Sequence, residues 1–220
     1  MRESDSNDGS SSSITLAFLE ASKDSPPCYL AADYSLSNLE NLEHTEVSLV
    51  CNATLNRGLA TIPVRATLYS SSLYLRFERE KAAYETLISA EASVDIQRVY
   101  GYMQWSSRLW RLQFPHISSY DGDVYAIITE RTDSSFVEAN EKNVNLHLAA
   151  RAVTSLEEIH RAGILHGSIR HNFLVNRLQH ATRWVRFENC LLPDEHTPDV
   201  LEKEMEFAVE LFYGYFVCHH

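Results

Sequence analysis

The sequence predicts an α+β protein in which a small antiparallel sheet with one main helix precedes a mostly helical region. Two runs of alternating apolar and polar residues, 47–55 and 62–68, flank an Asn-Arg-Gly turn at residues 56–58, which is typical of a β-hairpin. A helical period follows over residues 73–89, and another begins near residue 144. This order of strands, helix, strands and then helices favours the α+β class.

The helix predicted at Leu73–Ser89 carries its apolar side chains on one stripe, at Leu73, Phe77, Tyr84, Leu87 and Ile88. Glu80 falls on the same stripe, three residues after Phe77 and four before Tyr84. Because a buried carboxylate without a partner is costly, we expect Glu80 either to pair with an arginine or to reach solvent.

Two further strands are predicted at Val99–Trp105 and Val124–Thr129. The connection between them, Ser106–Asp123, is rich in aromatic and turn-forming residues. It is predicted to be a long hairpin loop or to carry one more short strand. Together with the hairpin, these strands would complete the small sheet on which the helix packs.

The second half of the chain has a helical character. Residues 144–161 show the best helical stripe, and Gly163 stands where helices commonly end. Short strands are predicted at Phe173–Asn176 and Trp184–Phe187. A Thr-Pro pair at residues 197–198 is typical of a helix N-terminus. The last predicted helix then has its apolar stripe at Leu201, Met205, Ala208, Leu211 and Phe212.

These patterns divide the chain into three parts. Residues 1–13 are rich in Ser, Asp and Asn and are predicted to form a disordered tail. Residues 14–130 are predicted to form a β-rich subdomain. Residues 131–220 are predicted to form a helical subdomain.

Composition argues against several classes of function. The 220 residues carry a formal net charge of −11, and the Lys and Arg residues form no cluster, so we expect no nucleic-acid partner and no acidic membrane partner. The N-terminus has no apolar signal-peptide core, and no stretch approaches the roughly 18 apolar residues that span a bilayer. We therefore expect an intracellular protein, cytoplasmic or nuclear.

No metal and no cofactor are predicted. The four cysteines lie far apart and form no Cys-x-x-Cys pair, which favours free thiols. His160, His166 and His171 cross a predicted helix end at spacings of six and five residues, so they do not share one helical face. We expect structural roles for these histidines.

One segment is far more specific than the rest. Residues 159–175 read Ile-His-Arg-Ala-Gly-Ile-Leu-His-Gly-Ser-Ile-Arg-His-Asn-Phe-Leu-Val. This run resembles the catalytic loop of protein kinases, and it looks closest to fungal kinase-like proteins whose loop begins His-Gly-Asp. Residues 185–190, Val-Arg-Phe-Glu-Asn-Cys, stand where such proteins carry a metal-binding Asp-Phe-Gly or Asp-Phe-Glu motif. Glu80 resembles the ion-pairing glutamate of the first-lobe helix, and residues 64–69 resemble the strand that supplies the nucleotide-binding lysine.

The resemblance implies a protein-kinase-like fold over about residues 45–215, but several positions depart from the family pattern. Phosphoryl transfer in this family uses a lysine on the phosphates, metal-binding side chains and a catalytic aspartate. Here the catalytic aspartate position is Ser168, the metal-binding aspartate position is Arg186, and the lysine position is Thr67, with Arg65 two residues away. No Gly-x-Gly-x-x-Gly turn precedes the hairpin.

Three positions of the pattern are retained, namely Glu80, His166 and Asn172, although the loop is one residue shorter before Asn172. We therefore predict a catalytically inactive pseudokinase that acts by binding another protein as a scaffold, decoy or regulator. The alternative is an atypical ATP-binding phosphotransferase with unconventional catalytic residues. A further hypothesis is that Arg186 fills the vacated metal position and forms an ion pair with Glu80.

The resemblance also implies that the second lobe is truncated, because a complete one continues for several more helices. We expect this truncation to leave an apolar run exposed on the last helix. Such a run would form an interface with another protein or with a second copy in a homodimer. Its residues are Leu211, Phe212, Tyr213, Tyr215, Phe216 and Val217.

Overall fold

The computed structural model describes residues 28–44, 48–90, 94–115, 117 and 122–218. The tail predicted at residues 1–13 lies outside these ranges. The described residues form two compact units. The first holds the residues up to Ser71 together with Val99–Arg131, and the second holds the remainder.

The long helix after the hairpin, α1 (Tyr74–Ser89), groups with the second unit by its contacts. The sequence analysis places it in the β-rich subdomain instead. The difference has a clear origin, since polar side chains of α1 bind residues far along the chain. Arg76 donates to the Asn189 side chain at 2.7 Å, and Arg79 forms a salt bridge with Glu195 at 2.7 Å.

The first unit is built on a five-stranded antiparallel sheet with the strand order β1-β2-β3-β5-β4. The predicted hairpin is β2–β3, and the two later predicted strands lie within one residue of their expected bounds. These observations confirm the α+β class with a small antiparallel sheet. The strands are β1 (Tyr34–His44), β2 (Leu49–Arg57), β3 (Ala60–Ser70), β4 (Val99–Trp105) and β5 (Val124–Glu130).

Strand β1 is the one element of this sheet that the sequence analysis does not predict. Its pairing with β2 shifts register on both sides of Glu40, and Asn38 adopts a left-handed φ of 52°. Each irregularity disturbs the alternation of side chains between the two faces. In the sequence the leucines of β1 recur every third residue, so the segment lacks the period of two that predicts a strand: Leu36, Leu39, Leu42.

The connection between β4 and β5 contains a short helix, α2 (Ser107–Gln113), where the sequence predicts a loop or a strand. Trp110 anchors this helix. It is fully buried, with ring centroids 5.4 Å from Trp105 and 4.6 Å from Phe114. Its indole N–H donates to the Ile117 carbonyl at 3.2 Å. Trp110 and Phe114 therefore belong to the core of the first unit.

The second unit contains α1, α3 (Leu146–Arg161), α4 (Pro198–Val209), a π-helical continuation of α4 at Glu210–Val217, and a small sheet with the order β6-β7-β8. The three predicted helices are thus confirmed. The small-sheet strands are β6 (Val137–Glu138), β7 (Phe173–Asn176) and β8 (Ala181–Trp184).

The last short strand lies earlier than predicted. The sequence analysis places it at Trp184–Phe187, whereas β8 ends at Trp184. The turn after β7 ends at His180, which has a φ of 51°, and the resulting register pairs Phe173 with Trp184. Val185 and Phe187 lie beyond the end of β8 and are buried there, which accounts for their apolar character. Arg186, between them, is half-buried.

The segment after α1 joins the outer side of β8. The Trp184 N–H donates to the Asp95 carbonyl at 2.7 Å, and the Asp95 carboxylate accepts hydrogen bonds from Arg151 and Thr182, both at 2.5 Å. One aspartate therefore ties this segment to α3 and to β8.

The truncated second lobe stays a prediction.

Replacing Trp110 should test the role of α2 in the first unit. We expect Trp110→Ala to lower the free energy of unfolding by about 3–5 kcal/mol, because it leaves a large cavity. Leu112→Ala in the same helix is the matched control, since Leu112 is 71% exposed and its loss should cost within about 0.5 kcal/mol. Urea unfolding followed by circular dichroism measures both, and equal costs would show that α2 is not part of the core.

Candidate functional site

The segment that resembles a catalytic loop connects the end of α3 to β7. Gly163 follows α3 with a φ of 79°, and a Cβ atom there would lie 2.8 Å from Pro193. The Gly163 carbonyl accepts a hydrogen bond from the His196 Nε2 at 2.7 Å. Leu165 and Leu191 exchange two backbone hydrogen bonds of 3.0 and 2.9 Å. Residues 191–196 therefore hold the first turn of the loop in place.

Glu204 of α4 binds the centre of this loop. One carboxylate oxygen accepts from the backbone N–H of His166 at 2.9 Å and from His160 Nε2 at 2.7 Å. The other accepts from the backbone N–H of Gly167 at 2.7 Å. The Glu204 side chain is only 9% exposed. A single buried carboxylate thus joins α3, α4 and the loop.

These hydrogen bonds keep Glu204 ionised. Burial acts to raise the pKa of Glu204, but the hydrogen bonds from His160, His166 and Gly167 outweigh it, so the pKa is lowered. A buried carboxylate with three donors is satisfied, whereas loss of the carboxylate would leave the backbone N–H groups of His166 and Gly167 without this acceptor. The charge of Glu204 therefore has a structural role in shaping the loop.

His166 lies in the interior with no exposed surface. Its ring packs between Trp184 and Phe187, with centroid distances of 4.9 and 4.7 Å. Burial lowers the pKa of His166 to about 4, although the nearby Glu204 carboxylate opposes the shift. The imidazole is therefore neutral at physiological pH and packs as part of the core.

Two loop positions of the family pattern, the replaced Ser168 and the retained Asn172, lie on either side of Ile169. Ser168, at the position of the catalytic aspartate, is half-buried, while Asn172 is 4% exposed. The Asn172 carbonyl accepts from the Val185 N–H at 3.0 Å, which brings the loop against the residue before Arg186. At neutral pH a serine hydroxyl is un-ionised and very weakly basic, whereas an aspartate is an ionised carboxylate, so Ser168 is a poor proton acceptor.

Arg186 occupies the position of the metal-binding aspartate and has a φ of 60°. A left-handed conformation is uncommon for a residue with a side chain, and it persists only where the surrounding structure enforces it. The neighbouring contacts supply that enforcement, because the Phe187 N–H donates to the Glu80 carboxylate at 3.1 Å and the Phe187 ring lies 5.1 Å from Tyr84.

Glu80 is therefore neither solvent-exposed nor free of contacts with the later motif. It is 2% exposed, which excludes the solvent-accessible placement, and one of its oxygens binds the backbone of Phe187. The Glu80–Arg186 ion pair stays a hypothesis. The second unit brings together three positions singled out from sequence: Glu80, His166 and the segment that contains Arg186.

Thr67 lies in the first unit, in the middle of β3. It is buried and stands opposite Val50 of β2 and Ile127 of β5. Arg65, two residues earlier, lies 3.6 Å from the Glu43 carboxylate. Threonine at this position thus fits a tightly packed sheet face.

Glu204 and Asp95 are the site-shaping residues that the sequence analysis misses. Glu204 had a readable signal, since it falls three residues after Leu201 and four before Ala208, on the apolar stripe of the last predicted helix. Glu80 has the same spacing from the apolar residues of its own predicted helix. Asp95 had no such signal, because it lies between elements and its partners are 56 and 87 residues away.

The predicted interface on the last helix needs correction. Leu211, Phe212 and Phe216 are buried, with 7%, 0% and 3% exposure. Phe212 packs on Phe173 at a centroid distance of 5.1 Å and contacts Phe216 at 5.7 Å. These side chains belong to the core of the second unit because the π-helical turn directs them inward. Tyr213 and Val217 are half-buried, and Tyr215 is 43% exposed.

None of the helices in the described ranges is long and apolar enough to cross a membrane. Within the same ranges, no three His, Cys, Asp or Glu side chains converge as the ligands of a metal ion would.

Comparisons with known proteins point to the fold. Neither a family model nor a curated protein matches the sequence. Among solved structures, the crystal structure of the BubR1 kinase domain is similar, with a TM-score of 0.51 and 11% sequence identity. The match covers 85% of this chain and 62% of that chain, so the chain spans less than two thirds of that domain's length. At this identity the similarity shows the fold alone, which is kinase-like.

Replacing Gly167 should show how closely the loop is packed. Its φ is 76°, and a Cβ atom there would lie 2.2 Å from the Asn189 carbonyl oxygen. Gly58 is the matched control, because its φ of 58° is also left-handed but a Cβ atom would meet nothing within 4 Å. We expect Gly167→Ala to cost about 2 kcal/mol more than Gly58→Ala in urea unfolding, because only the former forces a backbone shift. Similar costs would contradict the close packing.

The buried His166 should make stability depend on pH. The unfolded chain binds a proton on this residue below about pH 6.5, whereas the folded chain does so only near pH 4. The contribution of His166 to the free energy of unfolding is therefore fully present above about pH 6.5. It is lost as the pH falls, which lowers the free energy of unfolding by roughly 1.5 kcal/mol between pH 6.5 and 5. This window lies above the ordinary pKa of Glu204.

Two variants isolate this contribution to the pH dependence. His166→Phe should flatten the free energy of unfolding over this window, whereas His180→Asn, at an exposed position, should leave the slope unchanged. Chemical denaturation at several pH values provides the measurement. An unchanged slope in His166→Phe would contradict the assignment.

Proposed function

We propose that this kinase-like chain is a pseudokinase, which does not transfer phosphate and acts by binding another protein as a scaffold, decoy or regulator. The partner is a second protein or a second copy of the chain, in an intracellular compartment. The resemblance of the loop to fungal kinase-like proteins supports a common origin with them. In this chain Ser168 replaces the aspartate of their His-Gly-Asp loop.

The observation that carries the proposal is the arrangement around Arg186. A guanidinium is a permanent cation, so it repels Mg²⁺ where the family pattern has a carboxylate ligand. The next residue is bound through its backbone to Glu80, the glutamate that would otherwise orient a nucleotide-binding lysine. This use of Glu80 supports a structural role for the carboxylate in place of a catalytic one.

The other replaced positions support the same conclusion. Ser168 is a poor base, and Thr67 has no positive charge to place on a phosphate. Loss of one charged participant commonly lowers a rate on the order of a hundredfold or more. Three such losses in one chain are difficult to reconcile with catalysis at a useful rate.

An atypical ATP-binding phosphotransferase is the competing proposal. The retained residues favour it, because Asn172 is buried in the loop and His166 keeps its place beside Phe187. A phosphotransferase of this kind would need metal ligands outside the family pattern.

Nucleotide binding separates the two proposals. We expect 1 mM ATP with 5 mM MgCl₂ to leave the melting temperature unchanged, within about 1 °C, in differential scanning fluorimetry. An active kinase measured in parallel serves as the positive control. A stabilisation that requires both ATP and Mg²⁺ would refute the pseudokinase proposal.

If such a stabilisation occurs, two variants locate it. Arg186→Ala should change it when the nucleotide lies at the family position, whereas Arg170→Ala, at an exposed position, should not. A shift that responds only to Arg186 would favour the atypical phosphotransferase.

A further inference from the structure

A groove between α3 and α4 combines an apolar floor with an acidic rim. Its volume is about 530 Å³. The floor is formed by Leu201, Met205 and Val209, which are four residues apart and therefore lie in one row along α4. Leu201 and Met205 are half-buried, and Val209 is 42% exposed. This apolar row faces open space in the described chain.

Four exposed glutamates line the same groove. Glu202, Glu206 and Glu210 form a second row on α4, each one residue after a floor position, and Glu157 of α3 also lines the groove. Within the described ranges, none of the four forms a salt bridge. Their negative charges therefore add along the groove.

The nearby cations are engaged elsewhere. Arg161 forms a salt bridge with Glu158 and has a weaker electrostatic interaction with Glu157. Lys203 lies 3.5 Å from the Asp199 carboxylate. His160 lines the groove but binds Glu204 through Nε2. Among the described residues that line the groove, none is a lysine or an arginine, so a positively charged occupant would supply the counter-charge.

The shape of the floor favours a helical occupant. Three apolar residues over nine positions span about 12 Å along α4, which corresponds to about two helical turns. An amphipathic helix with apolar residues at positions i, i+4 and i+7 matches this length, and helix-in-groove recognition uses such anchors. Strand addition needs an open sheet edge, whereas the residues lining this groove lie on helices.

We propose that this groove binds a partner protein through an amphipathic helix whose apolar face is flanked by Lys and Arg. The inference rests on the proposed protein-binding function and specifies its surface and partner chemistry. The apolar anchors would cover the floor, and the basic residues would face the glutamates. The partner's helix would lie along α4, next to the π-helical turn that begins at Glu210.

The probe for this proposal is an 18-residue fluorescein-labelled peptide of Leu and Lys, patterned as an amphipathic helix. Fluorescence anisotropy with the full chain in 0.15 M NaCl measures its affinity. We expect saturable binding that weakens at least tenfold in Glu202→Lys/Glu206→Lys and at least threefold in Met205→Ser.

The matched control is Glu40→Lys/Asp194→Lys, which makes the same change in net charge at two exposed positions that do not line the groove. It should change the affinity less than twofold. Thermal melts followed by circular dichroism verify that every variant is folded.

Several outcomes would overturn the proposal. These are no binding of the peptide, equal binding of a scrambled peptide of the same composition, or equal weakening in the control double variant. Sedimentation velocity provides a further test, because a wild-type dimer that Glu202→Lys/Glu206→Lys converts to a monomer would make a second copy the occupant. The nucleotide experiment is independent, so its failure and that of the groove can be told apart.

Discussion

The buried charge of Glu204 is the interaction on which the second unit depends most. It lies where α3, α4 and the catalytic-like loop meet, and its three donors come from two of those elements. A carboxylate in such a place is stable only while its hydrogen bonds are complete, and the backbone N–H groups of His166 and Gly167 equally need an acceptor. The loop conformation and the position of α4 are therefore coupled through one side chain. Glu80 repeats this arrangement on a smaller scale with the Phe187 N–H.

This arrangement explains how a kinase-like loop can persist while its chemical residues change. The hydrogen bonds that shape the loop are made by backbone groups and by the side chains of Glu204 and His196, and none of them requires a particular side chain at Ser168. Gly167 is different, because its left-handed backbone lies against the Asn189 carbonyl and leaves no room for a Cβ atom. Selection for the fold alone would preserve the glycine and the histidine while leaving the next position free to vary.

The sequence predicts much of this fold because most elements follow a regular period. Strand β2 and the first half of β3 alternate and the long helices have apolar stripes, whereas β1 is interrupted by bulges and α2 is a short helix held by the tertiary packing of Trp110. For the site, a carboxylate on an apolar stripe predicts that a partner must exist. Periodicity does not identify that partner, because the backbone donors of Glu80 and Glu204 lie at sequence separations of 107, 38 and 37 residues.

Periodicity also does not identify what covers the apolar residues of the predicted interface on the last helix. The other face of that helix carries the open apolar row. An apolar run shows that surface must be covered, but not whether the chain itself covers it. Phe212 and Phe216 are covered from within by Phe173 and by each other. The row of Leu201, Met205 and Val209 is less apolar in sequence because a glutamate follows each member. Those glutamates are compatible with an open groove and would be costly in a core, so the charged neighbours identify the exposed side of α4 more reliably than hydrophobicity does.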